Sequence, residues 1–299
     1  MKRFVDLHTH TTASDGTESP TQVVSKAHAL GLVGVAITDH DTIHGVEEGL
    51  RAGINLGIEV VSGVEISCNW HTHHVHLLGL YLDTQNSELL SLLEWMQLGR
   101  EQRLPKMIAK LRKLGIEVDQ REVEREARGE SSGRPHLARV LLRHNHVISI
   151  EEAFDKYLGY GRPAYVERPR PTISQGIQII LNAKGVPVVA HPLTIDVGPK
   201  ELITDLVQLR LQGIEYYYPY EQVAGKSETW YSNIEPNRAE LMQLAKQYNL
   251  ILTGGSDYHG RASNKVDLGS LPVPVETLEM LRRRYKELFG FLPTPRGPA

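Results

Sequence analysis

The chain has almost no cysteine, no long apolar run and no strong charge of either sign, and each shortage removes a class of protein. Cys68 is the only cysteine in 299 residues, so no internal disulfide can form, and this usage fits a reducing compartment. Its ordinary role is that of a small buried side chain on a strand. No stretch approaches the roughly 18 apolar residues of a membrane span. Asp6, His8 and His10 interrupt the first apolar segment, which therefore lacks the unbroken core of a signal peptide. The formal net charge of −3 gives no global attraction to nucleic acid or membrane, and leaves only local patches to do so. Internal repeats and low-complexity tracts are missing as well. A cytoplasmic protein is the expectation.

What stands out is histidine, with 14 residues, many of them at the ends of apolar runs. The first run, FVDL, reads as a strand leading into HTHTTASDG. Strand side chains alternate faces, so His8 and His10 point to the same side. Two imidazoles side by side at a strand terminus suit a metal, although alone they are equally at home as surface residues.

Apolar segments then alternate with helical ones. PTQVVSKAHAL has helical spacing with Ser19 and Pro20 as cap and first-turn residues. LVGVAITDHD, IEVVSGVEIS, HHVHLLGLYLD, VPVVAHP, GIEYYYP and LILTGGSDYH read as strands, most of them preceded by helix-like segments. Repeated β-then-α order predicts a parallel sheet, open or closed into a barrel. Strands 59–69 and 74–81 can instead pair through a short turn near residues 70–72. From Leu98 to Tyr157 the pattern is almost wholly helical and charged, as in LPKMIAKLRKLG, REVEREARGE and HLARVLLRHNHV. The expected organisation is one barrel from 1–98 and 158–290, a helical insertion at 99–157 capping the substrate, and a disordered tail at 291–299.

The strand ends carry His8 and His10 with Asp15, then Asp39, His40 and Asp41, then Glu65, His74 and His76, then His191, and finally Asp257 and His259. In a parallel α/β barrel such ends converge on one mouth. A lone His191 before a proline is ordinarily a satisfied core or surface residue, and GGSDYH can simply make a turn. Chance does not place His, Asp or Glu at nearly every strand end of one polarity, so a metal site is expected. Imidazole and carboxylate donors without thiolates suit Zn²⁺, Mn²⁺ or Fe²⁺ better than Ca²⁺. These candidate donors exceed the needs of one ion, so two or three ions sharing a bridging carboxylate are expected, with Glu65 as the bridge. In the hairpin register His76 lies near Glu65, and His74 shares its face; His71 and His73 read as solvated turn residues.

The segments DLHTHTTASDG, ITDHDT, SGVEIS, HHVHLLGL, VAHP and GGSDYH together resemble the polymerase and histidinol phosphatase (PHP) family. The resemblance implies an α/β fold, a distorted (β/α)7 barrel with an inserted small helical domain, and a trinuclear centre at its C-terminal face. Carried over, one ion would take His8, His10, Glu65 and Asp257, a second Asp15, His40 and His259, and a third Glu65, His76 and His191. His76 is thus preferred to His74. The three divalent ions would be Mn²⁺, Fe²⁺ or Zn²⁺.

Within the family the insertion is similar to that of phosphoesterases acting on nucleotides and short RNA. SSGRPHLARVLL matches their position for an arginine and a histidine that bind substrate, here Arg134 and His136. HPLTID replaces the Gly-Arg that commonly follows the His-Pro there, and IEYYYPYEQ replaces small polar residues. The implied activity is hydrolysis of a phosphomonoester or terminal phosphodiester of a nucleotide (AMP or a 3′,5′-bisphosphonucleotide) or a short 5′-phosphorylated oligonucleotide. The attacking group would be a hydroxide bridging the ions, with Arg134 gripping the phosphate and His136 donating a hydrogen bond or proton. No membrane partner and no stable duplex binding are expected. Histidinol-phosphate hydrolysis, amidohydrolase-type C–N hydrolysis and a silent phospho-ligand-binding module are the alternatives. The pair Asp257 and His259 on the last strand, with Asp15, favours the phosphoesterase over the amidohydrolase.

Overall fold

The computed structural model describes residues 3–127, 133–223, 225–260 and 266–293. The end of REVEREARGE, the first two residues of SSGRPHLARVLL and tail positions 294–299 lie outside the described residues. The chain divides into two compact units, residues 1–91 with 170–299, and residues 92–169.

The first unit is built on seven strands in sequence order, β1 (Val5–Asp6), β2 (Gly34–Ile37), β3 (Glu59–Trp70), β4 (His73–Leu80), β5 (Val186–Val189), β6 (Gly213–Tyr217) and β7 (Ile251–Gly254). Leu7 N–H donates to Gly254 O at 3.1 Å and Asp257 N–H to His8 O at 3.0 Å, so the last strand returns to the first and the barrel nearly closes. Neighbouring strands are parallel except at β4, which runs antiparallel to both β3 and β5. The parallel order expected from the β-then-α segments is broken here, at the short turn that permits a hairpin. A two-residue turn, His71 and Thr72, cannot make a parallel crossover, and His71 takes φ +49° to complete the hairpin. Because β4 is reversed, its early residues rather than its late ones lie at the mouth formed by the ends of its neighbours.

Around the sheet lie α1 (Pro20–Ala29), α2 (Val46–Leu56), α8 (Ile173–Asn182), α9 (Pro199–Gln208), α10 (Glu228–Ser232), α11 (Ile234–Tyr248) and α12 (Glu276–Phe289). Local chemistry starts these helices where the sequence indicates. Ser19 accepts from Gln22 N–H while Gln22 Oε1 accepts from Ser19 N–H, a reciprocal cap, and Thr172 with Gln175 repeats it ahead of α8. Val35, Ile37 and Val60 pack with Val23, Val24 and Ala52 of α1 and α2, whereas Ala36 and Val61 join Val188, Ile251 and Leu278. Both faces of these strands are therefore buried, as their near-continuous apolar sequences require.

The second unit contains most of α3 (Ser87–Glu101), with α4 (Arg103–Lys113), α5 (Gln120–Glu126), α6 (Arg134–Arg143) and α7 (Ile150–Ala153). On α4, Leu104, Met107, Ile108 and Leu111 repeat at helical spacing and pack with Val123, Leu137 and Leu141 into a separate core. This unit begins within α3, at Leu92, and runs to Pro169, whose ring lies against Gly99 with no room for a Cβ.

Candidate metal centre

The backbone from Leu7 to His10 bonds alternately to its two neighbours. Thr38 N–H donates to Thr9 O, and His10 N–H donates to Tyr258 O. Leu7 therefore enters the apolar core while His8 and His10 face the barrel mouth, both fully buried. His40 follows β2, Glu65 lies midway along β3, His76 sits early on β4, His191 follows β5, and Asp257 and His259 follow β7.

Glu65 is the centre of the arrangement. Its Oε2 lies 3.3 Å from His8 Nε2, 3.3 Å from His10 Nε2 and 2.8 Å from His40 Nδ1. Its Oε1 lies 2.9 Å from His76 Nδ1 and 3.1 Å from His191 Nε2. Asp257 Oδ1 is 3.4 Å from His8 Nε2 and 3.0 Å from His10 Nε2. Asp15, half exposed, faces His10, His40 and His259 at 3.8, 3.9 and 3.4 Å. One donor atom from each of His8, His10, Glu65 and Asp257 falls within 4.8 Å of all the others, and the same holds for His10, Asp15, His40 and His259, and for His40, Glu65 and His76. His74 is exposed and bonds Asn69, and His71 is exposed beside Asp205. In the β3–β4 register Glu65 stands opposite Leu78, and His76 opposite Ser67. The Glu65–His76 contact is thus diagonal, two positions along the same face, rather than directly across.

Close approach is only partly matched by hydrogen bonding: His76 Nδ1 and His191 Nε2 bond Glu65 Oε1, and the other approaches to Glu65 are not hydrogen bonds. Among the described residues His8 Nε2, both ring nitrogens of His10, His40 Nδ1 and Glu65 Oε2 are buried without a hydrogen-bond partner. Buried polar atoms left this way are costly. Atoms crowded within 2.8–3.4 Å yet misaligned for a shared proton are placed as ligands of a common cation. The titration behaviour agrees. Burial alone would lower His8, but the carboxylates of Glu215, Glu65 and Asp257 outweigh it and hold it well above the ordinary histidine range. Burial opposes protonation of His10 too, and Asp257 with Glu65 still push it up to about 10. Glu65 and Asp257 are held well below the carboxylate range despite burial, chiefly by the facing imidazoles. The pocket is a buried anionic field that demands positive charge, and the imidazole and carboxylate donor set fits divalent metal.

The supporting residues were less visible in the sequence. Glu215, fully buried on β6, accepts from His8 Nδ1 at 2.8 Å through Oε1 and from His191 N–H at 2.7 Å through Oε2. A carboxylate on the far nitrogen of a metal-binding histidine fixes its tautomer and orientation. Tyr218 OH donates to Asp257 Oδ2 at 3.0 Å, so the third tyrosine of YYY serves the site. Asp39 accepts from Thr11 N–H, Thr11 Oγ1 and Ser14 Oγ, and so shapes the loop that presents Asp15. Asp6 gathers Ser256 N–H, Ser256 Oγ and Gly269 N–H beneath Asp257. Asp41, His191 and Asp257 all hold positive φ, of +52°, +29° and +53°. Strained backbone of this kind is maintained only where surrounding bonds dictate it.

Arg134 and His136 lie in the second unit, at the first turn of α6. Arg134 Nη1 donates weakly to Leu158 O, and its guanidinium lies 5.7 Å from both the Phe154 and Tyr165 rings. His136 is buried, with Nδ1 accepting from Gly133 N–H at 3.1 Å.

The chain belongs to the PHP domain family, whose model matches residues 6–160. It is 36% identical over 262 residues to a 5′-3′ exoribonuclease of Haemophilus influenzae, covering 87% of this chain and 91% of the relative. It is 34% identical over 259 residues to the 5′-3′ exoribonuclease Rnm of Escherichia coli (85% and 84%). It is 33% identical over 269 residues to a 3′,5′-nucleoside bisphosphate phosphatase of Chromobacterium violaceum (89% and 90%). Among solved structures, a Bifidobacterium adolescentis protein assigned as a metal-dependent phosphoesterase superposes with a TM-score of 0.71 at 28% identity, over 94% of this chain and 96% of that one. An amidohydrolase from C. violaceum, with bound sulfate and no metal, superposes with a TM-score of 0.70 at 29% identity, over 97% and 98%. Among the described residues no helix is long and apolar enough to cross a membrane.

Proposed function

We propose that this chain is a metal-dependent phosphoesterase that hydrolyses a phosphomonoester or terminal phosphodiester of a nucleotide or short 5′-phosphorylated oligonucleotide. The observation that carries the reading is Glu65, one buried carboxylate facing five imidazoles, three of whose nearest ring nitrogens have no hydrogen-bond partner among the described residues. In this proposal three divalent ions, Mn²⁺, Fe²⁺ or Zn²⁺, occupy the centre. His8, His10, Glu65 and Asp257 hold one, Asp15, His40 and His259 a second, and Glu65, His76 and His191 a third. Such ions supply an activated water near neutral pH and neutralise charge on phosphate oxygens.

The remaining roles fall to side chains. Glu215 keeps the His8 proton on Nδ1, so Nε2 faces the ions. Tyr218 holds one Asp257 oxygen and leaves the other to the site. Arg134 offers a planar fork to the substrate phosphate. His136, whose Nδ1 accepts from Gly133 N–H, donates a hydrogen bond or proton to substrate in this reading. The helical unit acts as the substrate cap, and the compartment is cytoplasmic, as a single buried Cys68 suits.

The amidohydrolase name of one structural relative raises C–N hydrolysis as a second reading. It is disfavoured by the last strand, where Asp257 reaches His8 and His10 while His259 reaches Asp15, so both members of the pair enter the cluster. The test is elemental analysis together with product release, each substrate with Mn²⁺: inorganic phosphate from AMP, a 3′,5′-bisphosphonucleoside and histidinol phosphate, and mononucleotide from a 5′-phosphorylated trinucleotide. Nucleotide preference is expected, and bound metal without nucleotide turnover would reject the substrate class. Arg134→Ala should raise KM or lower kcat with metal content unchanged; metal loss in that variant would reject its phosphate role.

A further inference from the structure

The helical unit differs electrically from the rest of the chain. Residues 92–169 carry 15 Lys and Arg against 12 Asp and Glu, a formal +3 within a chain of −3. Much of that positive charge is neutralised locally. Arg112 pairs with Glu117, Arg139 and Arg143 with Glu126, and Lys156 with Glu152. Three lysines on α4 are exceptions. Lys106, Lys110 and Lys113 are exposed, and among the described residues none forms an ion pair. Lys106 Nζ donates to the neutral Gln102 side chain, and Lys110 Nζ donates to the Tyr165 carbonyl.

Their spacing aligns them. Leu104, Met107, Ile108 and Leu111 face the core, so positions 106, 110 and 113 form one stripe on the opposite side, spanning roughly 10 Å at the helical rise. The stripe edges a groove of ≈ 500 Å³ whose other wall is Tyr165, Val166 and Glu167. Tyr165 stacks edge-on with Tyr160 at 5.4 Å, and Tyr160 is 84% exposed, a large aromatic ring left in solvent. Arg103 and Arg134 lie 5.8 and 5.7 Å from the Tyr165 ring. Glu167 is the one carboxylate in the groove, and it is engaged by Tyr165 OH at 2.6 Å.

An unneutralised cationic track beside an exposed aromatic is the arrangement that holds a nucleic-acid single strand, cations on phosphates and rings on bases. We propose that the lysine face of α4, with Tyr160 and Tyr165, is a contact surface for a single-stranded oligonucleotide, built from residues outside the metal-binding set. The proposal rests on the nucleotide reading of the site and specifies it. This surface would favour oligonucleotides over mononucleotides, because a mononucleotide has no chain to lay along the stripe.

The probe is an octaribonucleotide carrying a fluorophore on its 5′ end, which blocks attack from that end but leaves the strand free to bind. Anisotropy with the metal-loaded protein is followed from 50 to 200 mM salt. Three phosphate contacts predict a log–log slope of about −2, an affinity loss of about 20-fold over that range. The triple variant K106Q/K110Q/K113Q should bring the slope close to zero, and glutamine at 110 can still donate to the Tyr165 carbonyl. Tyr160→Ala should weaken binding about tenfold with the slope unchanged. Phosphate release from a 3′,5′-bisphosphonucleoside should stay within about twofold of wild type in the triple variant, as lysine contacts to a chain require. No binding by the wild type, or equal slopes in wild type and triple variant, would overturn the surface. Failure of the wild type to hydrolyse any nucleotide would reject the proposed function instead, whatever the anisotropy shows.

Discussion

Glu215→Gln replaces one oxygen of a buried carboxylate by an NH2 group, and its effect follows from which partners can be kept. Glu215 accepts twice, from His8 Nδ1 at 2.8 Å and from His191 N–H at 2.7 Å. Glutamine has one acceptor and one donor end. With the amide oxygen on the His191 N–H, the NH2 group meets His8 Nδ1 and drives the His8 proton to Nε2, the atom facing Glu65 and Asp257. With the orientation reversed, two N–H groups oppose each other where the His191 backbone is held at φ +29°. The first orientation keeps both bonds but puts a proton on the nitrogen that faces the site, and the second loses the His191 bond. Changes to the outer partner of a metal-binding histidine typically cost 10–100-fold in metal affinity, about 1.4–2.7 kcal/mol. The assay is competitive titration with a metal chelator, alongside elemental analysis after dialysis and thermal melting. Weaker metal retention in that range, with the secondary structure intact, is expected. Wild-type metal affinity with a lowered Tm would refute the orienting role and leave Glu215 as a packing residue.

Two further outcomes follow from the same geometry. Stripping metal should lower Tm, and the gap between loaded and stripped protein should widen as pH rises. In the stripped protein His10 has its folded pKa raised to about 10 from an ordinary 6.5, so the stability it contributes is complete below pH 6.5 and is lost as pH climbs toward 10. Metal binding, which needs neutral imidazoles, strengthens over that interval. Melting curves at pH 6, 7.5 and 9 with and without chelator decide it, and a gap that narrows would count against metal ligation by His10. Gly255→Ala should destabilise the fold by about 1–3 kcal/mol, because a Cβ there would sit 2.3 Å from the His8 backbone nitrogen and 2.8 Å from Asp6 Oδ1. Denaturant melts of the stripped protein check it without interference from metal, and an unchanged midpoint would show that the two segments can part freely.

The ligand-type residues were legible because their signal is local. His8 and His10 obey the two-residue period of extended backbone, and Asp257 with His259 repeats that spacing after the last strand. Glu215 was not legible in this way. It lies within GIEYYYP, where a carboxylate amid aromatics on a strand gives no sign of which distant nitrogen it meets; the His8 contact spans 207 residues. The reversal of β4 was half legible, since the short turn announced a hairpin, while the alternating pattern elsewhere argued for parallel order. The nearness of Glu65 and His76 was legible, and only their exact offset was not. Face parity is fixed by counting from the turn, but exact partners depend on where the turn closes, and it closes at His71–Thr72. In the helical unit the apolar period of LPKMIAKLRKLG is visible and coincides with the face of α4 that packs in the core. The neutral or ion-paired state of each basic residue depends on tertiary neighbours and was invisible.

The residues gathered around Glu65 are drawn from segments that begin at His8 and end at His259, and the nearly closed barrel brings those extremes together. Contacts such as His8 with Asp257 join residues from opposite ends of the barrel. The cluster can therefore assemble only after the most distant strands have met, and pairing of that kind, which bears the full entropy of loop closure, is the slow part of folding.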